Sequence, residues 1–391
     1  MNYYERALTL KAETIAHRRW FHTNAEVGLN MPKGQAYVLA ELEKLGISAK
    51  PCGHGVSATI SKPGKCILLR ADMDALPMPE ESGLDFACPT GTEAHTCGHD
   101  FHVAMLLTAA KMLKENEANL EGTVKFMFQP AEETFEGANN MIENGILENP
   151  VPNVALAFHV TTGKMPVGLY MYNADSTMMA SVNGFRIDIQ GKGAHGAYPH
   201  SSIDPINIGV HIYLALEALI AREANPEKMC VMTVGKFQAG TAANIIPDAA
   251  VLEGTIRTND PKQRELLVRR MQEVALATAQ VYGGTAKVTL TSDVPPLICG
   301  KEFTREMVSF MEQLQMPGAR PYGGIQSNAS EDFASIAEKV PSAFIYLSAG
   351  FTDGRETWPP HNPKVCFNED VCPMGAAAYA HCAAQWLKAH K

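Results

Sequence analysis

Three short runs along the chain are apolar almost without interruption: "CILLRADMD" (66–74), "TVKFMFQPAEE" (123–133) and "VALAFHV" (154–160). Runs of this length read as strands buried on both faces. Segments with helical spacing lie between and around them. "QAYVLAELEKLG" (35–46) ends on Gly46, a helix stop signal, and "FHVAMLLTAAKMLKEN" (101–116) predicts a long apolar helix. Strands alternating with helices predict an α/β domain whose sheet is largely parallel and covered by helices.

The pattern changes near Ser181. "NGFRIDIQGKG" alternates as a half-exposed strand and "IDPINIGVHIYLALEALIARE" is a helix. "MCVMTVGKFQAG" and "AAVLEGTIRT" are strands, "PKQRELLVRRMQEVALATAQVYG" a second helix and "TAKVTLTS" a last strand. This β-α-β-β-α-β order predicts a ferredoxin-like α+β unit. The α/β pattern then returns, with a helix at 302–315, a strand at 342–350 and a final helix near 370–388. The expected organisation is a two-domain α/β protein: a first part of one domain at 1–180, an inserted domain at 181–291, and the remainder of the first at 292–391.

Composition narrows the function classes. The 391 residues are 46% hydrophobic and 19% charged, as expected of a folded globular chain. The net charge is −9 and no basic stripe occurs, which argues against a nucleic-acid partner. The N-terminal stretch lacks a secretory apolar region, and no apolar run approaches the ~18 residues of a membrane span. A cytoplasmic location without a membrane partner is the expectation. The nine cysteines are scattered and form no CxxC pair, so no disulfide framework is expected.

Metal-ligand residue types gather at the predicted strand ends. "EAHTCGHDFH" (93–102) holds Cys97 and His99 around Gly98, with His95 and His102 nearby. The spacing is wrong for a zinc finger, and no second Cys/His pair follows. An i, i+2 pair in extended chain would put both side chains on one face. Glu132 and Glu133 follow the second apolar run; alone they read as two solvated loop acids. His159 ends the third run; alone it reads as a core histidine. His361, in "WPPHNP", alone reads as a loop residue. Together Cys97, His99, Glu133, His159 and His361 are five candidate ligands, too many for one structural zinc and suited to two metals sharing a bridge.

"HRRWFHTNAEVGLN", "LLRADMDALP", "HTCGHDFH", "QPAEET", "AFHV", "GKGAHGAYPH", "NIIPDAAVLEGTIRT", "SEDFA" and "HNPKVCFNED" resemble, in order and spacing, the aminoacylase/hippurate hydrolase/carboxypeptidase family of two-metal amidohydrolases. The nearest branch cleaves N-acyl-amino acids, such as indole-acetyl-amino acids. The resemblance implies that Cys97 bridges two divalent metals, with His99, Glu133, His159 and His361 completing the set and Glu132 as general base. It implies that the inserted domain is a lid carrying a homodimer interface, that His195 reaches the partner's site to stabilise an oxyanion, and that Asn244 and Arg257 hold the substrate carboxylate. Where many relatives carry an HxD motif, this chain has "RADMD", so Asp72 and Asp74, like Asp100, are expected to orient ligands rather than bind metal. The metals could be Zn, Mn, Co or Ni. The leading expectation is hydrolysis of N-acyl-amino acids. A dipeptidase or carboxypeptidase using the same chemistry, and a non-catalytic binding protein, are the alternatives. "DSTMMAS" (175–181) and "YGGIQSNAS" (322–330) are candidate pocket walls, with core or hinge as the other reading.

Overall fold

The structure is a computed structural model describing residues 1–391. The chain divides into two compact units. The first comprises Met1–Ser176, Ile298–Ile325 and Asp332–Lys391; the second comprises Thr177–Leu297 and Gln326–Glu331.

The first unit is built on an eight-stranded sheet. Its centre is parallel. The strand Cys66–Asp72 lies between Thr123–Gln129 and Val154–Thr161, and the latter pairs with Ser342–Ser348. Nearly every residue of these four strands is buried, which is why they read as continuous apolar runs rather than alternating ones. The hairpin Ser48–Cys52 and Gly55–Ile60 extends one side antiparallel; Leu169–Tyr172 and Arg320–Gly323 extend the other. The helices His99–Glu115 and Val371–Ala389 are buried along most of their length and share one core with the sheet. All four central parallel strands thus end on the same side, where open α/β sheets place their sites.

The second unit has a four-stranded antiparallel sheet in the order Thr285–Val294, Val182–Gln190, Ala249–Thr258, Cys230–Ala239. In chain order this is 4-1-3-2, the ferredoxin-like arrangement. Burial alternates along Thr285–Val294, as in a sheet with one covered face. The helices Pro205–Arg222 and Pro261–Val281 pack on it through Ile208, Ile212, Leu216, Leu267 and Met271. Both helices start with the same device. Asp204 and Asp260 accept backbone N–H groups of the first turn, and a proline occupies the first helical position.

Two local expectations are corrected. The run through "QPAEE" stops being a strand at Gln129, and both glutamates sit in the turn beyond it. The helix expected from Phe101 begins at His99, so Cys97–Gly98–His99 is not extended chain but the entry into a helix.

Candidate metal centre

Gly98 sets the local geometry. It adopts a left-handed conformation, with φ 89°, and a Cβ there would lie 2.4 Å from Cγ2 of Val160. Only glycine accommodates both the backbone angle and the contact. The chain turns sharply at this point, so the Cys97 and His99 side chains converge on one centre.

Two triads of ligand atoms share Cys97. Cys97, His99 and His159 form one, and Cys97, Glu133 and His361 the other, with the atoms of each within 4.8 Å of one another. The sheet supplies His159 from Val154–Thr161, and the turn after Thr123–Gln129 supplies Glu133. The loop before the last helix supplies His361, whose backbone N–H donates to the Thr96 carbonyl at 3.0 Å. All five sequence-predicted ligands of the first unit therefore meet at one place.

The histidine ring orientations are set from behind. His99 Nδ1 faces the Asp74 carbonyl at 2.9 Å and Asp74 Oδ1 at 3.2 Å, so its proton sits there. His159 Nδ1 faces the Val160 carbonyl at 2.6 Å. Each ring is thereby left with an Nε2 lone pair directed at the centre. His159 Nε2 is 3.5 Å from the Cys97 sulfur, and His99 Nε2 is buried without a hydrogen bond. An orphaned buried nitrogen beside a thiol and carboxylates is what a divalent-metal ligand looks like without its ion. The donor set of one sulfur, three imidazoles and a carboxylate fits two divalent cations sharing the sulfur.

Electrostatics agree with this reading. Burial, helped by His102, holds His159 neutral and ligand-ready. Burial also acts against charge on His99, but Asp72 and Cys97 outweigh it and raise its pKa well above the usual value. Contacts with Cys97 and Glu133 push His361 up to about 10. Burial and the Glu133 charge push the Cys97 thiol up. The negative charge that raises His99 and His361 is one a divalent cation would also meet, displacing their protons on binding.

The expected orienting residues have distinct partners. Asp74 holds His99 on one side, and its Oδ2 accepts the Glu133 N–H at 3.0 Å. Asp72 accepts from His102 Nδ1 and lies 3.6 Å from His99 Nε2. His102 Nε2 accepts the Val160 N–H at 2.8 Å, so both of its nitrogens are occupied and it supports the centre without joining it. His95 is buried with neither nitrogen partnered, and burial lowers its pKa to about 3. Asp100 is engaged through Oδ2 by Arg18 and His22.

Sequence reasoning missed the scaffold behind Asp72. Fully buried Arg70 donates to Asp72 at 2.7 Å, Gln129 at 2.9 Å and Asp332 at 3.1 Å. Asp332 also accepts from Gln129 and from the Ala138 N–H. A charged residue inside a continuous apolar strand was the available signal, since an interior arginine must find partners. No pattern flagged Ala131, Phe135 and His361, which are non-glycine residues with φ of 53°, 61° and 65°. Two of them bracket the Glu132–Glu133 turn and the third is a candidate ligand. Such backbone strain gathers at sites the surrounding fold over-determines.

Glu132 is nearly buried, and its Oε2 lies 3.9 Å from His99 Nε2. It is in neither of the triads sharing Cys97, although it also falls within ligand range of His99 and Glu133.

In the second unit, His195 and Asn244 are neighbours and both are exposed. His195 pairs with Ile245 in a short ladder, and the Gly196 N–H donates to the Asn244 carbonyl at 2.8 Å. The Ala197 N–H donates to His195 Nδ1 at 3.1 Å, which leaves Nε2 as the protonated nitrogen of the neutral ring. Arg257 lies elsewhere. It sits near the far end of Ala249–Thr258, roughly 27 Å along the strand at about 3.4 Å per residue, and donates to Ser330 Oγ at 2.6 Å. Within one chain the structure does not bring Asn244 and Arg257 together. Met178 and Met179 are buried, and Met179 bridges to Leu297 and Ser327, so neither lines an open wall.

This geometry gathers donors suited to a dinuclear divalent-metal centre, with the Cys97 sulfur common to both triads. Residues 68–385 match the peptidase family M20/M25/M40, and the chain belongs to that family. It is 36% identical over 368 residues to an N-acetyl-L-cysteine deacetylase of Bacillus subtilis (strain 168), covering 92% of this chain and 85% of the relative. It is 34% identical over 376 residues to thermostable carboxypeptidase 2 of Saccharolobus solfataricus, covering 94% and 93%. Among solved structures it resembles Bacillus subtilis YXEP, a dinuclear metal-binding peptidase of the M20 family, with a TM-score of 0.78, 30% identity and coverage of 97% and 99%. The chain is thus a metal-dependent amidohydrolase or metallopeptidase that uses two divalent ions, and none of its helices is long and apolar enough to cross a membrane.

Proposed function

We propose that this protein hydrolyses the amide bond of N-acyl-amino acids, releasing a carboxylic acid and a free amino acid. The observation that carries the reading is the pair of triads sharing Cys97 with the nearly buried Glu132 beside them. Cys97, Glu133 and His361 would hold one divalent ion and Cys97, His99 and His159 the other; when bound, the ions polarise the acyl oxygen and make water acidic near neutral pH. Glu132 takes a proton from the attacking water and returns it to the departing nitrogen. His195, kept protonated on Nε2 by the Ala197 contact, donates to the oxygen that gains charge. Arg257 offers a planar fork suited to the substrate carboxylate, and Asn244 of a second copy would add an amide.

His195 with Asn244 at one end of the second unit, and Arg257 at the other, favour a site completed by a second copy of the chain. Its second unit would serve as lid and homodimer contact. The helix Pro205–Arg222 exposes Ile206, Val210, Tyr213 and Leu214, and the neighbouring edge strand Cys230–Ala239 exposes Val231 and Phe237. An apolar helix face beside an unpaired strand edge is suited to pairing with its own copy. The physiological metal among Zn, Mn, Co and Ni, and a cytoplasmic setting, belong to the same reading.

The deciding experiment assays N-acetyl- and N-benzoyl-amino acids against dipeptides, with Mn²⁺, Co²⁺, Ni²⁺ or Zn²⁺ added to metal-free protein. Faster release from N-acyl-amino acids is expected. Preference for dipeptides would transfer the assignment to a peptidase, and absence of chelator-sensitive hydrolysis would overturn both.

A further inference from the structure

The N-terminal "HRRWFH" stretch has no part in the mechanism above, yet it reaches the back of the metal centre. Arg18 and His22 are one turn apart on the helix Lys11–Thr23. Arg18 Nε donates to Asp100 Oδ2 at 2.7 Å, and His22 Nδ1 faces the same oxygen at 2.8 Å. His22 Nε2 faces Glu80 Oε1 at 2.9 Å, and Arg18 Nη1 donates to Glu369 Oε1 at 3.0 Å. The Arg18 guanidinium also lies over the Phe101 ring, 4.5 Å from its centroid. Arg18, His22 and Asp100 are all buried.

Each partner lies on a segment that carries a ligand. Asp100 follows His99 in the first turn of its helix, and Glu80 lies in the segment leading to Cys97. Glu369 lies eight residues after His361. The helix His99–Glu115 starts on Gly98, which has no side chain to cap it, so its first turn is held instead through Asp100. Buried ion pairs return little net stability, because desolvation offsets most of the attraction. What a cluster of this kind supplies is a fixed geometry.

We propose that Arg18 and His22 are positioning residues for the metal centre. They act through Asp100 to fix the angle at which Cys97 and His99 meet the ions, and through Glu80 and Glu369 to tie that pair to the segment bearing His361. This rests on the reading of Cys97 and His99 as metal ligands, but not on the choice of substrate.

The test measures Co²⁺ affinity by chelator competition and the visible spectrum of the Co²⁺ form, alongside thermal unfolding of the metal-free protein. Arg18→Gln and His22→Gln should each weaken affinity about 10- to 100-fold, the range found for groups that orient metal ligands, and should shift the Co²⁺ bands. Arg18→Lys keeps the charge but replaces the planar fork that reaches Asp100 from Nε and Glu369 from Nη1 with a single nitrogen, so it should fold and still lose affinity. Arg19→Gln removes an exposed partner of Glu369 and a contact over the Phe86 ring but leaves the bonds to Asp100 in place, so its metal affinity and Co²⁺ spectrum should match wild type. Lower unfolding temperatures with wild-type affinity and spectrum in the Arg18 and His22 variants would mean a purely structural cluster and overturn the proposal. Absence of a thiolate-to-cobalt band in wild type would overturn the ligand reading itself, and the proposal with it.

Discussion

The two units present their candidate chemistry in opposite ways. In the first, three of the five candidate ligands are positioned by a second group: Asp74 behind His99, Val160 behind His159, Thr96 behind His361. The candidate ligands sit on a buried strand, in the turn after another, at a helix start and in a loop, and the fold of one chain suffices to bring them together. In the second unit, His195 and Asn244 are exposed and held mainly by backbone contacts, with Arg257 at the other end of a strand. Buried donors held this way are in place before an ion arrives. Groups that close over a substrate can wait on a surface until a partner or ligand covers them.

That contrast can be broken at several points. The largest effect is expected from Glu132→Gln, which should keep both metals and lose about 10²- to 10⁴-fold in kcat. Metal loss by elemental analysis would instead make Glu132 a ligand. His195→Ala should cost about 10²- to 10³-fold in kcat with metal content unchanged. Mixing it with Glu132→Ala protein should restore one working site per mixed dimer; no recovery in verified mixed dimers would confine His195 to its own chain. Gly98→Ala adds both a strained φ and a 2.4 Å contact. It should destabilise the metal-free protein by about 2–4 kcal/mol in denaturant titration and reduce metal loading; wild-type stability would refute the steric account.

The smallest effect concerns pH. Asp100 and Glu80 raise the His22 pKa against the opposing effects of burial and Arg18, while His95 lies 6.1 Å away, ring to ring. The stability this contributes is fully present below the unfolded histidine value of about 6.5 and is lost as pH rises through the higher folded value. Wild type should therefore exceed His22→Gln in stability at pH 6, with the gap narrowing towards pH 9. A gap that widened with pH would contradict the two-carboxylate environment.

Much of the centre was legible from residue types at strand ends. Continuous apolar runs can only be buried strands or helices, and a ligand type placed where such a strand stops sits at the carboxyl ends of the sheet's strands. The second unit was legible from its alternating strands and its two helix-spaced segments, because those signals are local. The turn at Glu132–Glu133 was less so: the left-handed backbone at Ala131 and Phe135 has no sequence signature, since neither residue favours it.

The sequence by itself determined the types of ligand, the α/β and ferredoxin-like patterns, and the glycine between Cys97 and His99. Only the tertiary structure decided which nitrogen of each histidine faces the centre, that His102 is fully engaged elsewhere, and that Arg18 and Glu369, 351 positions apart, meet in one buried cluster. The reason is physical. Periodicity and turn chemistry act over a few residues, whereas a buried charge is satisfied by whichever partner the packed fold brings within 3 Å.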